Sequence, residues 1–386
     1  MATRCCWFEE VASLDGARAG ILHTPHGDVP TPAFMPVGTR GAVRGVSGRD
    51  LAEVGSQIIL SNTLHLWERP GHDRVARLGG IHAFMGWNGP ILTDSGGYQA
   101  FSLAKHARID EQGVRFRSVV DGTLRDLTPE VAVQIQETLG VDIAMALDEC
   151  IDKDRDRAAV AASTARTTRW LHRCEAARRH SDRTALFGIV QGGMFPDLRA
   201  AHAEELAALD LDGYAVGGLS VGEGHARMVE MIEATAPHLP RGKVHYLMGV
   251  GHPVDLVAAI SRGMDLFDCV LPSRAGRHGQ AYTSEGRINL KNAAYADDAG
   301  PLDPGSPGSP GDATSRGFLR HGFAVDEVLA ARVVTLHNLW FYQDLMRRLR
   351  EAIVAQDRVA FAALAARATA SSLTRAAGGA RVSPGV

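Results

Sequence analysis

Residues 186–218 read LFGIVQGGMFPDLRAAHAEELAALDLDGYAVGG. The stretch opens on an apolar run, LFGIVQ from Leu186. It then takes helical periodicity over FPDLRAAHAEELAAL from Phe195 and closes on a second apolar run, YAVGG from Tyr214. A short buried run, an amphipathic helix and another short run make one strand–helix–strand unit of a parallel sheet. The same texture extends both ways. Upstream lie AFMPVG from Ala33, QIILSN from Gln57, PILTD from Pro90 and IAMALD from Ile143; downstream lie YLMGVG from Tyr246 and LFDCV from Leu266. Helical stretches such as TPEVAVQIQETLG from Thr128 separate most of them. Eight such units predict an α/β fold, a (β/α)8 TIM barrel. The rival is an open doubly wound sheet, and no Gly-rich phosphate loop follows the first strand to support it.

The polar residues at the run ends carry the functional signal. Asn62, Asp94, Asp148, Gln191, Gly218 and Asp268 each stand at or just past the C-terminal end of a run. Any one of them, taken singly, is better read as a helix N-cap or a turn residue; six together at the same end of successive strands reverse that reading. In a barrel, these ends converge on a single mouth, where active sites lie.

The flanks are less regular. Residues 19–37 read as an N-terminal hairpin around His26-Gly27, and 114–127 as a second hairpin turning at Asp121-Gly122. The Pro-, Gly- and Ser-rich stretch PLDPGSPGSPGDATS reads as an irregular linker. A long helical region follows, and then a weaker Ala-rich helix to about Ala370. We divide the chain into a catalytic barrel with its hairpin, 1–296, and a small C-terminal helical subdomain, 297–386.

Composition bounds the function. The net charge is −3, so an RNA partner would need a local basic face. Arg347, Arg348 and Arg350 offer one on the long helix, unless they are simply a solvated surface. Five cysteines (Cys5, Cys6, Cys150, Cys174, Cys269) show no framework spacing and suit a reducing cytosol. Glu9, Glu10 and Asp15 stand where the apolar core of a secretion signal would lie, and no apolar run is long enough to cross a bilayer. A cytoplasmic protein without a membrane partner is expected.

The stretches ILTDSGGYQAFSL, ALDEC, LFGIVQGG, YAVGGLSVGEG, YLMGVGHP and MDLFDCVLPSRAGRHGQAYTSEGRINLKNA closely resemble the bacterial tRNA-guanine transglycosylases. The resemblance runs from about residue 15 to about residue 355. It implies a (β/α)8 barrel, a usual homodimer, and exchange of guanine in a tRNA anticodon loop for a 7-deazaguanine precursor of queuosine. By the same resemblance Asp268 matches the nucleophile and Asp94 the general acid/base. That pairing agrees with elementary chemistry, because breaking a nucleoside bond leaves oxocarbenium character on the ribose, which a carboxylate can trap. The alternative for Asp268 is a buried ion pair with Arg274 or Arg277.

A guanine-like base presents N1–H and N2–H2 donors and an O6 acceptor. Asp148 can accept both donors, while Gln191 and the N–H of Gly218 can donate to O6; adenine, with the opposite polarity, would leave buried groups unpaired. The resemblance places Tyr98 and Met248 on the two faces of the base. It adds Cys150, Leu219, Ser220 and Val221 to the pocket wall, and Glu223 as the residue that adapts a neighbouring peptide to different bases. Ser220 stands where many members have Ala, so a polar 7-substituent could be read differently. Arg274 and Arg277 match anticodon-loop contacts.

Three departures stand out. The family's structural zinc is held by three cysteines and a histidine; here Ser306, Gly308 and Gly311 occupy the cysteine positions and only His337 remains. No zinc or other cofactor is expected, His337 should be an ordinary packed or capping histidine, and the segment should be held by the helix over 325–354 alone or be mobile. IDKDRD replaces a Pro-rich segment after Cys150. His278 and His252 stand where Asn and Lys are usual. These departures leave two further readings open beside base exchange on tRNA: ribosylation of a free 7-deazaguanine in small-molecule biosynthesis, and a non-catalytic partner subunit.

Overall fold

A computed structural model describes residues 4–99, 107–375 and 381–382. The strands in chain order are β1 Trp7–Leu14, β2 Ala17–Thr24, β3 Gly27–Thr31, β4 Ala33–Gly38, β5 Ile59–Ser61, β6 Ile91–Thr93, β7 Arg108–Asp110, β8 Gly113–Arg117, β9 Leu124–Leu127, β10 Ile143–Met145, β11 Ala185–Val190, β12 Gly213–Val216, β13 Val244–Leu247, β14 Leu266–Cys269, β15 Gln280–Thr283 and β16 Gly286–Asn289. The short pair β17 Thr374–Arg375 and β18 Arg381–Val382 extends the β15–β16 sheet. Eight of the strands close a parallel barrel in the order β4-β5-β6-β10-β11-β12-β13-β14. β14 returns to β4, with Leu266 opposite Ala33. Each of the eight apolar runs supplies one strand.

β11 shows why these runs are strands. All six residues are buried. Phe187 and Ile189 face the barrel interior with Met35, Leu60, Leu92, Met145 and Ala215. Leu186 and Val190 face the outer layer with Leu206 and Leu171 of the surrounding helices. Burial on both faces makes a parallel strand continuously apolar. Capping sets the helix bounds: Thr128 accepts from the Val131 N–H to begin Pro129–Leu139, and Gly140 ends that helix at φ +76°, which glycine adopts without a Cβ clash.

The N-terminus differs from expectation. The hairpin of β2 and β3 ends at Thr31; Ala33–Gly38 is β4, paired in parallel to β14 and β5. A fully buried run gains more inside the barrel than as the arm of a surface hairpin. An unanticipated strand, β1, pairs with β2. Its turn, Asp15-Gly16, has φ of 47° and 96°, the primed geometry that Asp-Gly favours. The second expected hairpin is present as β8–β9, with β7 beside it.

The helix Val328–Val354 lies against the barrel. Gln343 donates to the Phe34 carbonyl (3.0 Å), Tyr342 to Gly251 (2.5 Å) and Asn338 to Pro272 (3.0 Å). The linker is held by more than this helix. Asp303 accepts from Ser284 N–H and O–H, Gly305 N–H and Ser306 O–H, and Arg367 of the helix Arg358–Ser372 donates to Ser306 Oγ (3.0 Å). A carboxylate collecting four donors anchors the polar part of the loop, while Leu302 is buried in a small apolar cluster with Ile288, Leu290 and Leu319.

The basic face expected on the long helix is not free. Arg347 and Arg348 both pair with Asp344, and Arg347 also reaches Glu351. Arg350 turns inward to the Pro32 carbonyl (2.7 Å). Among the described residues no helix is long and apolar enough to cross a membrane.

Candidate active site

The C-terminal ends of the barrel strands open into a pocket of about 290 Å³. Asn62, Asp94, Asp148, Gly218 and Asp268 line it, with Tyr98, Cys150, Leu219, Ser220, Val221 and Met248. Gln191 reaches it through its amide, donating to Asp148 Oδ2 (2.7 Å). Asn62 sits at the start of the helix Thr63–Glu68, yet its side chain makes no cap bond; it donates to Asp94 instead.

Asp94 is buried just beyond β6. Its Oδ2 accepts from Asn62 and Gln99 (2.6 Å to Gln99), and its Oδ1 from the Thr63 N–H (2.8 Å). Burial pushes its pKa up to about 6 against those bonds, and the charge of Asp268 adds to the rise. A carboxyl group poised there can both give and take a proton near neutrality.

Asp268, in β14, is arranged differently. Tyr246 O–H (2.6 Å) and Gly249 N–H (2.7 Å) both donate to Oδ1, and among the described residues no group donates to Oδ2. Burial raises its pKa, opposed by those two donors. The Tyr246 hydroxyl is itself driven well up by burial and by Asp268, so it remains a donor. Neither Arg274 nor Arg277 pairs with Asp268, and the ion-pair alternative falls. Asp94 and Asp268 thus share one pocket, one able to exchange a proton near neutrality and one with an oxygen that accepts from no group among the described residues.

Asp148 follows β10, with Oδ2 on Gln191 and Oδ1 on Ser95 Oγ (3.3 Å). Burial pushes its pKa up to about 6. A Cβ on Gly217 would fall 2.7 Å from both the Gln191 amide and Ile189 Cγ2; Gly218, at φ +67°, would place one 2.6 Å from Gln191 Oε1. The Gly218 and Leu219 N–H groups have no acceptor among the described residues. Glu223 folds back on its own turn, accepting from Ser220 and Val221 N–H, and Ser220 has φ +60°. Cys150 lies in the wall with its thiol pushed up to about 12 by burial, too high to act as a nucleophile near neutrality. Tyr98 is half exposed at the mouth.

A purine bound to an ionised Asp148 should show that burial in its pH dependence. Guanine affinity is expected to be flat above about pH 6 and to fall roughly tenfold per unit below it, because a protonated Asp148 cannot accept both N–H groups. Calorimetric Kd values against pH check this. The same acid limb must persist in Asp94→Asn, since Asp94 titrates in the same range.

Several contributors escaped the sequence reading, among them Ser95, which holds Asp148. Gln99 holds Asp94, and Tyr246 holds Asp268. Tyr246 had a signal: two residues from Met248 in an extended segment, it shares the pocket-facing side. Arg274 and Arg277 sit on the helix Leu271–Arg277 directly after β14. Burial and the charges of Arg44 and Arg274 hold the Arg277 guanidinium below its usual pKa, so three arginines crowd together beside the mouth. No carboxylate pairs with any of them among the described residues. His252 and His278 are exposed.

The expected zinc position has no ligand set. Ser306 is taken by Asp303 and Arg367. His337 is buried, with Nδ1 on Ser309 Oγ (3.0 Å) and Nε2 on the Tyr282 carbonyl (2.8 Å). Gly308 and Gly311 have no side chains to offer, so these residues do not fit the metal. At the opposite end of the barrel His26, His82 and Asp142 cluster. There the imidazoles stack at 3.7 Å and each bonds a different oxygen of Asp142. Parallel rings aim their lone pairs side by side rather than at one ion, and the cluster fastens the β2–β3 turn to the barrel floor.

A (β/α)8 barrel with three buried carboxylates at its mouth fits a pentosyltransferase, an enzyme that moves a ribosyl group between bases. A family profile described as queuine tRNA-ribosyltransferase matches residues 13–371. The chain is 51% identical over 344 residues to the queuine tRNA-ribosyltransferase of Acetivibrio thermocellus, covering 89% of this chain and 92% of that one. It is 52% identical over 342 residues to that of Herpetosiphon aurantiacus (89% and 87%) and 51% over 345 residues to that of Geobacillus thermodenitrificans (89% and 90%). The chain belongs to the queuine tRNA-ribosyltransferase family.

Proposed function

We propose that this enzyme exchanges guanine in a tRNA anticodon loop for a 7-deazaguanine through a covalent ribosyl ester on Asp268. The observation that carries the reading is the division of labour between Asp268, whose Oδ2 is free, and Asp94, which titrates near 6. Asp268 Oδ2 attacks C1′ as the glycosidic bond breaks. The bonding pair leaves on the purine, which takes a proton from Asp94. The base departs; the incoming base gives its N9 proton back to Asp94 and attacks C1′, and the aspartyl ester breaks. Two inversions retain configuration, and no proton or electron is gained overall.

The relatives named as tRNA-ribosyltransferases support tRNA as the ribosyl donor, and so does the uncompensated arginine cluster at the mouth, suited to phosphates. A small-molecule donor would need no such cluster. Complete catalytic residues speak against a non-catalytic subunit. The test is incorporation of radiolabelled guanine into tRNA carrying a 5′-UGU-3′ anticodon loop, beside free guanosine. Label in guanosine alone would overturn the donor assignment.

The same reading makes the protein a cytoplasmic homodimer without zinc. Free cysteines suit that compartment. Exposed Phe318, Val325, Val328 and Leu329 gather where two helices meet and offer an apolar face to a second copy; light scattering measures the mass. The Asp303–Ser306–Arg367 network takes over the anchoring role a metal would serve. Metal analysis is expected to find no stoichiometric zinc, and a chelator should leave the melting temperature unchanged while Asp303→Asn lowers it. One zinc per chain would overturn this.

A further inference from the structure

Arg199, on the helix Pro196–Ala207, is completely buried, and no carboxylate pairs with it among the described residues. Its Nε donates to the Gly193 carbonyl (2.7 Å), and its Nη2 to Gly217 (3.0 Å) with a longer approach to Gly218 (3.4 Å). Nη1 is buried without an acceptor. Burial draws its pKa down to about 10, which still leaves it cationic at neutrality. The Glu223 carboxylate acts on this charge without pairing with it. Carbonyls are its only hydrogen-bond acceptors among the described residues, and they compensate a buried charge poorly.

The placement suggests what the charge does. The Gly217 carbonyl and the Gly218 N–H are the two ends of one peptide group. The guanidinium holds the carbonyl end; the N–H end has no acceptor among the described residues and belongs to a residue lining the pocket. Hydrogen bonds in series polarise one another, more strongly where water is excluded. When N9–C1′ breaks, the electron pair spreads through the purine toward O6. A donor aimed at that oxygen gains strength as the charge develops, which is the condition for speeding the reaction rather than merely binding substrate.

We propose that Arg199 is a positioning residue for leaving-group stabilisation, acting through the Gly217–Gly218 peptide to strengthen the Gly218 N–H bond to purine O6. The inference rests on the reading that the base lies with O6 toward Gly218. Arg199→Lys and Arg199→Met are compared with wild type using tRNA that carries guanine or 6-thioguanine at the exchanged position, so that the departing base differs; sulfur is the weaker acceptor while N1–H and N2–H2 are kept. For guanine, kcat is expected to fall about ten- to a hundredfold, with KM changed by less than about threefold. The loss should be clearly smaller for 6-thioguanine.

Equal losses for the two bases, or a loss confined to KM, would overturn the proposal and leave Arg199 a loop anchor. If wild type itself does not distinguish the two bases, the orientation of the base is wrong and the inference falls with it. Should Arg199→Met melt early, Arg199→Lys, which keeps the charge but not the planar fork, decides the matter.

Discussion

Asp268→Asn is expected to reduce base exchange by at least about a thousandfold while leaving guanine binding within a few-fold of wild type. An amide is a poor nucleophile and cannot neutralise the positive charge that develops at C1′. The fold should tolerate the change, because the asparagine carbonyl can still accept from Tyr246 and Gly249, the two donors that fix Oδ1 in the wild type. The amide –NH2 then occupies the place of the free Oδ2. Enzyme mixed with labelled tRNA and a slowly reacting base, then denatured and run on a gel, should carry label in the wild type and none in the variant. Exchange without an adduct, or a variant with comparable turnover, would remove Asp268 from the role and make Asp94 the carboxylate to test.

Asp148→Asn should weaken guanine by roughly 2–4 kcal/mol, about thirty- to a thousandfold in Kd. The variant replaces one acceptor oxygen by a donor that meets N1–H or N2–H2 head on, and it loses the charge that strengthened both bonds. Its own scaffold is little disturbed, since the two protein partners of Asp148, Ser95 and Gln191, are both donors and the amide oxygen can serve one of them. Melting temperature and guanine Kd measured on the same sample separate fold from site. An unchanged Kd in a folded variant would show that the purine edge lies elsewhere.

How much of this was readable in advance follows from which interactions are local. A buried parallel strand must be apolar on both faces, so AFMPVG, LFGIVQ and YLMGVG announce themselves, and strand–helix alternation then leaves few topologies. The same signal misled at the N-terminus. AFMPVG looks equally like a hairpin arm until its parallel partners β14 and β5, distant or separated in sequence, are known. β1 had a local cue in Asp15-Gly16, but its charged, alternating sequence resembles solvated chain.

The amino-acid sequence by itself determined the barrel, the strand ends that form its mouth and the three carboxylates there, because period, turn chemistry and residue type are written locally; the missing zinc thiols were visible only through the family resemblance. Tertiary structure alone decided what each group is able to do. That Asp94 titrates near 6 while Asp268 keeps one oxygen bare depends on burial and on donors 5 to 32 residues away for the first and 19 to 22 for the second. Arg350 turns inward, Asp303 gathers the linker, and Arg199 stands behind the Gly217–Gly218 peptide for the same reason. Desolvation and hydrogen-bond partnership are properties of the packed chain, and no run of adjacent residues encodes them.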